Sequence, residues 1–457
     1  MASLASLWQR SGSIVSLPRL WGRLRSSPFV CGAGILSSGA ALGHLCTLAA
    51  GPMLTRLYGA GDFGTLGLFT SYLSVTLAAV GLQFEVGIVS GKDEAEAAYL
   101  MFAALFAALP MSLLSGVVLW LMIRMRVLGF GALPEYMPLL LIAAMCFAGA
   151  FTALRYWCVR GGEFRHISQS TVAQSAGRAA CQVLLGTCGL HSGGLVFGET
   201  LGRCLGMSRM MRNAWPALRR RLRAFSWHEF REALWRNRQF PFFSLPSTLL
   251  DALCLGLSVP LLIHLYGADV GGCFSLVWKT VALPSVLITV AVADTYHARL
   301  ASCARETPRE SMKLFRRTSL GLLCLGSLPA GILWLWGPPL FRFAFGAQWW
   351  QAGVFASAVA PWYLAQFVVS PLSRAVAIFR GQETKLLWDV LCLISLLLVF
   401  ITAHRARLEA LQTIRLLAFV NVDLLAVYYL LLLRIVGGFM RTIDLEPTAG
   451  ALASVEG

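Results

Sequence analysis

A chain of 457 residues with 57% apolar and only 13% charged side chains is not an ordinary soluble enzyme, which would carry roughly a quarter charged residues. Apolar stretches recur along almost its whole length, so a soluble domain on a single anchor is excluded as well; they suffice for about 13 crossings at roughly 20 residues each. The net charge of +16 comes with no aromatic-basic binding module, so it belongs to the Lys- and Arg-rich loops that orient membrane proteins and not to nucleic-acid binding.

Residues 1–28 carry Arg10, Arg19, Arg23 and Arg25 without an apolar h-region or a small-residue cleavage site. They read as a basic cytoplasmic lead-in. Hydropathy then predicts spans at about 29–55, 63–88, 95–123, 134–158, 167–189 and 193–211. A basic cytoplasmic linker follows at 212–240, with Arg219, Arg220, Arg221 and Arg223 at its centre. Six further spans are predicted at 241–265, 271–295, 317–337, 350–376, 384–402 and 415–436, then a cytoplasmic tail at 437–457. Spans five and six are interrupted by Gln169, Gln174, Arg178, Glu199 and Arg203. With both termini inside, most of the 38 Lys and Arg residues fall in cytoplasmic segments. The loop holding Arg405, Arg407 and Arg415 is discordant. The twelve cysteines are scattered without C-x-x-C or Cys/His ligand spacing and read as small core residues. No metal or other cofactor is expected.

An internal repeat organises these spans. Residues 52–60 read PMLTRLYGA and residues 260–268 read PLLIHLYGA, so Pro, Leu, Leu, Tyr, Gly and Ala recur at a constant offset. Asp62 and Gly64 answer Asp269 and Gly271 one residue out of step. Six spans per repeat bring both halves in from the same side. The expected architecture is therefore an all-α polytopic membrane protein of about twelve helices, with an N-lobe (29–211) and a C-lobe (241–436). Their pseudo-twofold runs along the membrane normal.

Several blocks in order carry a resemblance. They are PMLTRLYGAGDFG at 52–64, LQFEVGIVSGKDEAEA at 82–97, VRGGEFRHISQSTVAQSAGR at 159–178, GLVFGETLGRCLG at 194–206, FPFFSLPSTLLDAL at 240–253 and SLVWKTVALPSVLI at 275–288. Together they resemble the oligosaccharide (O-antigen) flippase family of the multidrug/oligosaccharidyl-lipid/polysaccharide exporter superfamily, over most of residues 30–300. Two positions depart from the family's habit: Lys279 stands where Arg is usual, and Ala60 where Pro is common. The resemblance implies translocation of an undecaprenyl-diphosphate-linked oligosaccharide across a bacterial inner membrane, and the chain is expected to act as a monomer. Membrane lipids, and the glycosyltransferases and polymerase of the same pathway, would be its partners.

Charges inside spans are costly and face a cavity or a partner. A lipid diphosphate, with about two negative charges, needs cations along its route. Lys279 and Arg178 are the deepest candidates, and the resemblance puts the family's cavity cation at Lys279. Arg203 is a third candidate, although Glu199 one turn earlier can neutralise it. Asp251 is the alternative partner of Lys279. Glu85 and Arg155, near the cytoplasmic ends of their spans, are candidates for an inner gate, and Asp423 in the last span for ion coupling. Trp349, Trp350, Trp362 and Tyr363 read as an interfacial belt before a sugar platform. The sequence holds no G-x-x-x-x-G-K-[ST], so energy comes from a gradient. The competing readings are an ion-coupled multidrug exporter, whose cationic substrates call for an acidic cavity, and a lipid II flippase, which usually has two more spans. A polysaccharide polymerase or ligase is a third, and would need a larger outer loop.

Overall fold

The computed structural model describes residues 28–306, 308–375 and 382–453; residues 1–27 of the basic lead-in and 454–457 of the tail lie outside them. Among the described residues every regular element is helical. The first half runs α1 (Pro28–Leu57), α2 (Ala60–Leu77), α3 (Phe84–Ser90), α4 (Glu94–Arg124), α5 (Met137–Arg160), α6 (Phe164–Thr187) and α7 (His191–Cys204). The linker holds α8 (Met207–Arg223) and α9 (Trp227–Arg236). The second half comprises α10 (Leu245–Gly256), α11 (Ser258–Tyr266), α12 (Ala268–Glu306), α13 (Pro308–Phe345), α14 (Trp350–Leu372), α15 (Gln382–Arg405) and α16 (Ala410–Ala453).

Eight described helices are long and apolar enough to cross a membrane by length and composition, which makes this a multi-pass membrane protein. Of the other expected spans, the second and the sixth depart from that simple form. The second is two helices, because Leu82 and Gln83 take left-handed backbone conformations at φ 51° and 63°. Gln83 Nε2 caps the break by donating to the Ala78 carbonyl at 2.7 Å. The sixth, expected to reach residue 211, stops at Cys204, and the helix restarting at Met207 is the linker's α8, which packs on α4, α5 and α6. Helix α12 runs on to Glu306 and α13 already begins at Pro308, since hydropathy marks the apolar slab and not the end of a helix.

The helices form two lobes. In the first, α1 packs on α6, α4 on α5, and α6 on α7; in the second, α13 packs on α14, and α16 on α14 and α15. One apolar core is built from both lobes, bringing Tyr58, Phe63 and Leu195 together with Phe274, Phe345 and Trp349. At the linker end each lobe has its own core. The first is centred on Ile88, Leu100 and Cys158 with Phe230 of α9, the second on Leu300, Phe315 and Leu432. The lobes are thus sealed at the end away from the linker and part toward it.

Reciprocal contacts show the pseudo-twofold directly. A Cβ on Gly64 would collide with the Ala268 carbonyl, and one on Gly272 with the Ala60 carbonyl, so α2 and α12 cross backbone to backbone. These pairs keep the offset of the PMLTRLYGA repeat, and Gly272, not Gly271, is the counterpart of Gly64. The tyrosines behave alike. Tyr58 Oη donates to the Gln182 carbonyl on α6 at 2.7 Å, and Tyr266 Oη to the Leu408 carbonyl just past α15 at 2.8 Å. Each thus ties the end of the first expected span of its lobe to the fifth expected span or the loop just past it.

The lobes are also latched. The last four carbonyls of a helix have no partner within it. The Thr55 carbonyl in the last turn of α1 receives Gln348 Nε2 at 2.6 Å and Trp349 Nε1 at 3.0 Å from the other lobe. Trp349 is fully buried and meets Phe63 edge-on at 5.0 Å. Across the pseudo-axis, the 3-10 turn Val127–Ala132 brings Gly129 against the backbone of Pro260 and His264 in α11.

Candidate functional site

Helix α6 is polar on the face it turns to α7, and an antiparallel ladder joins the two. Gln174 Nε2 donates to the Arg203 carbonyl at 3.0 Å, Arg178 to Glu199, and Gln182 Nε2 to the Leu195 carbonyl at 3.0 Å. Polar side chains are tolerated there because each finds a partner inside the bundle. The close approach comes from glycines one turn apart. A Cβ on Gly198 would meet the Gln182 backbone nitrogen at 2.8 Å, and one on Gly202 the Cα of Arg178 at 2.6 Å. With Gly194 they form a small-xxx-small stripe of the kind that draws membrane helices together.

Glu199 lies beside that stripe, 4% exposed. Its Oε1 accepts Arg178 Nη1 at 3.1 Å and Arg203 Nη2 at 2.8 Å. Lys279 approaches from α12 of the second lobe, within electrostatic reach of both Glu199 and Arg178. His44 on α1 is within reach of Arg178. Of the three cations named from the sequence, two therefore pair with one carboxylate and the third lies within electrostatic reach of it from the other lobe. Three cations against one anion leave an excess of positive charge, and Arg203 Nε is buried without a hydrogen-bond partner. A donor left unpaired in this way costs about 1–3 kcal/mol unless an anion or water reaches it.

The remaining candidates lie elsewhere. Asp251 has contacts of its own, and the acid beside Lys279 is Glu199. Glu85 and Arg155 are not joined. Glu85 is 5% exposed and packed against Gly81, with Oε2 lacking a hydrogen-bond partner, while Arg155 is exposed. Arg160 is the basic residue that ties these helices, donating to the Gly91 carbonyl at 2.7 Å and the Ile88 carbonyl at 3.1 Å. Asp423 is exposed on α16. Trp349 belongs to the latch, and Trp362 is buried and packs at a tilt against Trp278 at 5.2 Å, so neither is exposed to a sugar. Two features escaped the sequence reading. The hub role of Glu199 had no signal there, because two of its three cations come from other helices. The Gly194, Gly198 and Gly202 spacing was a legible one.

No protein-family model and no curated protein matches the sequence. Solved structures do match the fold. The inward closed lipid II flippase MurJ superposes with a TM-score of 0.64 at 12% identity, covering 90% of this chain and 91% of that one. An inward-facing multidrug resistance MATE family transporter of the MOP superfamily superposes at 0.62 and 16% identity, covering 90% of this chain and 99% of the other. The outward-facing form of a MATE family transporter gives 0.55 at 16% identity, covering 92% and 98%. The chain therefore has the two-lobe fold of MOP transporters, and the higher scores fall to neighbours described as inward.

Proposed function

We propose that the chain is a flippase of twelve spans that moves an undecaprenyl-diphosphate-linked oligosaccharide across a bacterial inner membrane by alternating access. The observation that carries this reading is the cluster of Arg178, Arg203 and Lys279 around Glu199. Its excess positive charge suits a ligand with about two negative charges, held by charge-assisted hydrogen bonds. A cationic drug would meet repulsion there, although the fold is shared with multidrug transporters. The basic linker supports a cytoplasmic location for the linker end, by the positive-inside rule. The sealed end then faces outward, and the lobes part toward the side on which the lipid-linked substrate is made. Arg178 and Arg203 belong to the first lobe and Lys279 to the second, so a bound diphosphate draws the lobes together.

The test is Lys279→Ala in a cell that depends on this chain for its surface polysaccharide. Display should be lost while the protein stays in the membrane at near-normal amounts, and Lys279→Arg should keep it. Full display from Lys279→Ala would end the reading.

A further inference from the structure

The linker carries a surface that neither the site nor the lobe packing uses. One face of α8 is buried on the first lobe through Met210, Ala214 and Leu218, and one face of α9 through Phe230 and Ala233. Polar contacts hold the pair rigidly. Tyr99 Oη on α4 donates to Glu229 at 2.9 Å, and Asn237 Nδ2 donates to Glu96 at 2.9 Å. The linker is thus a fixed outrigger of the first lobe.

Its free face has a repeating chemistry. On α8, Arg212, Trp215, Arg219 and Leu222 follow at spacings of three and four residues, which places them on one stripe. On α9 and the residue pair beyond it, Trp227, Arg231, Trp235 and Arg238 do the same. All eight are exposed, Trp227 by 68% and Trp235 by 70%. The Arg238 guanidinium stacks on the Trp235 ring at 4.4 Å. Phe242 and Phe243, at the entry to the second lobe, continue the apolar exposure at 71% and 79%. The linker's acids are already engaged, Glu229 by Tyr99 and Arg221, and Glu232 by Arg236. Among the described residues Arg212, Arg219 and Arg231 form no ion pair.

Trp rings take the level of lipid headgroups, with the apolar body toward the acyl chains. An Arg beside each ring then meets headgroup phosphate, and a short basic amphipathic helix lies flat on an anionic bilayer. Charge alone would also suit an acidic protein. The alternation with Trp, and its continuity with Phe242 and Phe243 at the start of a spanning segment, favour the bilayer. We propose that the α8–α9 face is a binding surface for anionic phospholipid headgroups, which fixes the first lobe against the leaflet on the linker's side.

The test uses the full-length protein purified in detergent, titrated with phosphatidylglycerol or with phosphatidylcholine, and read by native mass spectrometry of retained lipid. Wild type should bind phosphatidylglycerol in preference to phosphatidylcholine. A variant combining Arg212→Gln, Arg219→Gln, Arg231→Gln and Arg238→Gln should lose at least tenfold in phosphatidylglycerol affinity, and the four corresponding Lys substitutions should restore most of it. Because all four side chains are exposed, thermal stability in detergent should not change. If the quadruple variant does not accumulate, each single Gln substitution should still weaken binding about two- to threefold. Unchanged phosphatidylglycerol binding in the Gln variants would overturn the proposal, and is also the result expected if the face docks an acidic protein. Equal binding of the two lipids by wild type would overturn it too.

Discussion

At the scale of single residues, Glu199 and Lys279 separate two kinds of dependence. Glu199 is buried and holds two guanidinium groups at once, so Glu199→Ala leaves two arginines facing each other without their counter-ion. Breaking one side of a buried charge pair costs about 3–5 kcal/mol. Both arginines are partly exposed, so a loss near the lower end of that range is expected, seen as a fall in melting temperature in detergent and in membrane abundance. Lys279→Ala should behave differently. Glu199 keeps both of its hydrogen-bonded arginines, so the melting temperature should stay within a few degrees of wild type while transport fails. Equal destabilisation by the two substitutions would make Lys279 a structural residue. The sequence names all four of these side chains but not their arrangement, because periodicity orders residues along one helix and says nothing about which helix lies across from it.

At the scale of elements, the approach of α6 and α7 makes the site possible. The antiparallel ladder from Gln174 to Gln182 needs the helices close, and Gly198 and Gly202 provide that closeness by having no side chain. Gly202→Ala puts a methyl group against the Arg178 backbone, and overpacking of this kind costs typically 1–3 kcal/mol. Gly331, on α13, has open space about it, and Gly331→Ala should be neutral or slightly stabilising, since Ala is the better helix former by about 1 kcal/mol. The pair of melting temperatures checks both statements, and a Gly202→Ala protein as stable as Gly331→Ala would disprove the packing argument. Much of this level was legible in advance. Long apolar runs such as Glu94–Arg124 and Met137–Arg160 fell where hydropathy put them. The break at Leu82–Gln83 did not, because neither residue is a glycine or proline and the left-handed turn is held by the Gln83 side chain on the Ala78 carbonyl. The linker's helices were hidden for another reason: arginine density marked the segment as lying outside the membrane and concealed the apolar stripe that docks it.

At the scale of the molecule, the repeat read from PMLTRLYGA and PLLIHLYGA returns as a set of reciprocal contacts at one end, and the latch beside them joins the lobes there. Opening the sealed end requires Gln348 and Trp349 to leave the Thr55 carbonyl and Trp349 to leave Phe63. Two hydrogen bonds at about 0.5–1.5 kcal/mol each, with an aromatic contact of about 0.5–1.5 kcal/mol, give a latch of a few kcal/mol. A population ratio shifts tenfold for each 1.4 kcal/mol or so. Replacing Gln348 and Trp349 by Ala should therefore raise the fraction of molecules open at that end by at least tenfold. The Gly64–Gly272 crossing is untouched by these changes, so the lobes should still fold and pair. Spin labels at Glu135 in the first lobe and Glu409 in the second, both exposed, would report the separation by double electron–electron resonance. Wild type should give one short population and the Ala pair an added longer one, with a matching gain in reactivity of a cysteine placed at Thr55 toward an impermeant thiol reagent. A distance distribution unchanged by the double substitution would mean that the glycine crossing alone holds the end shut. The latch would then be packing without control over access.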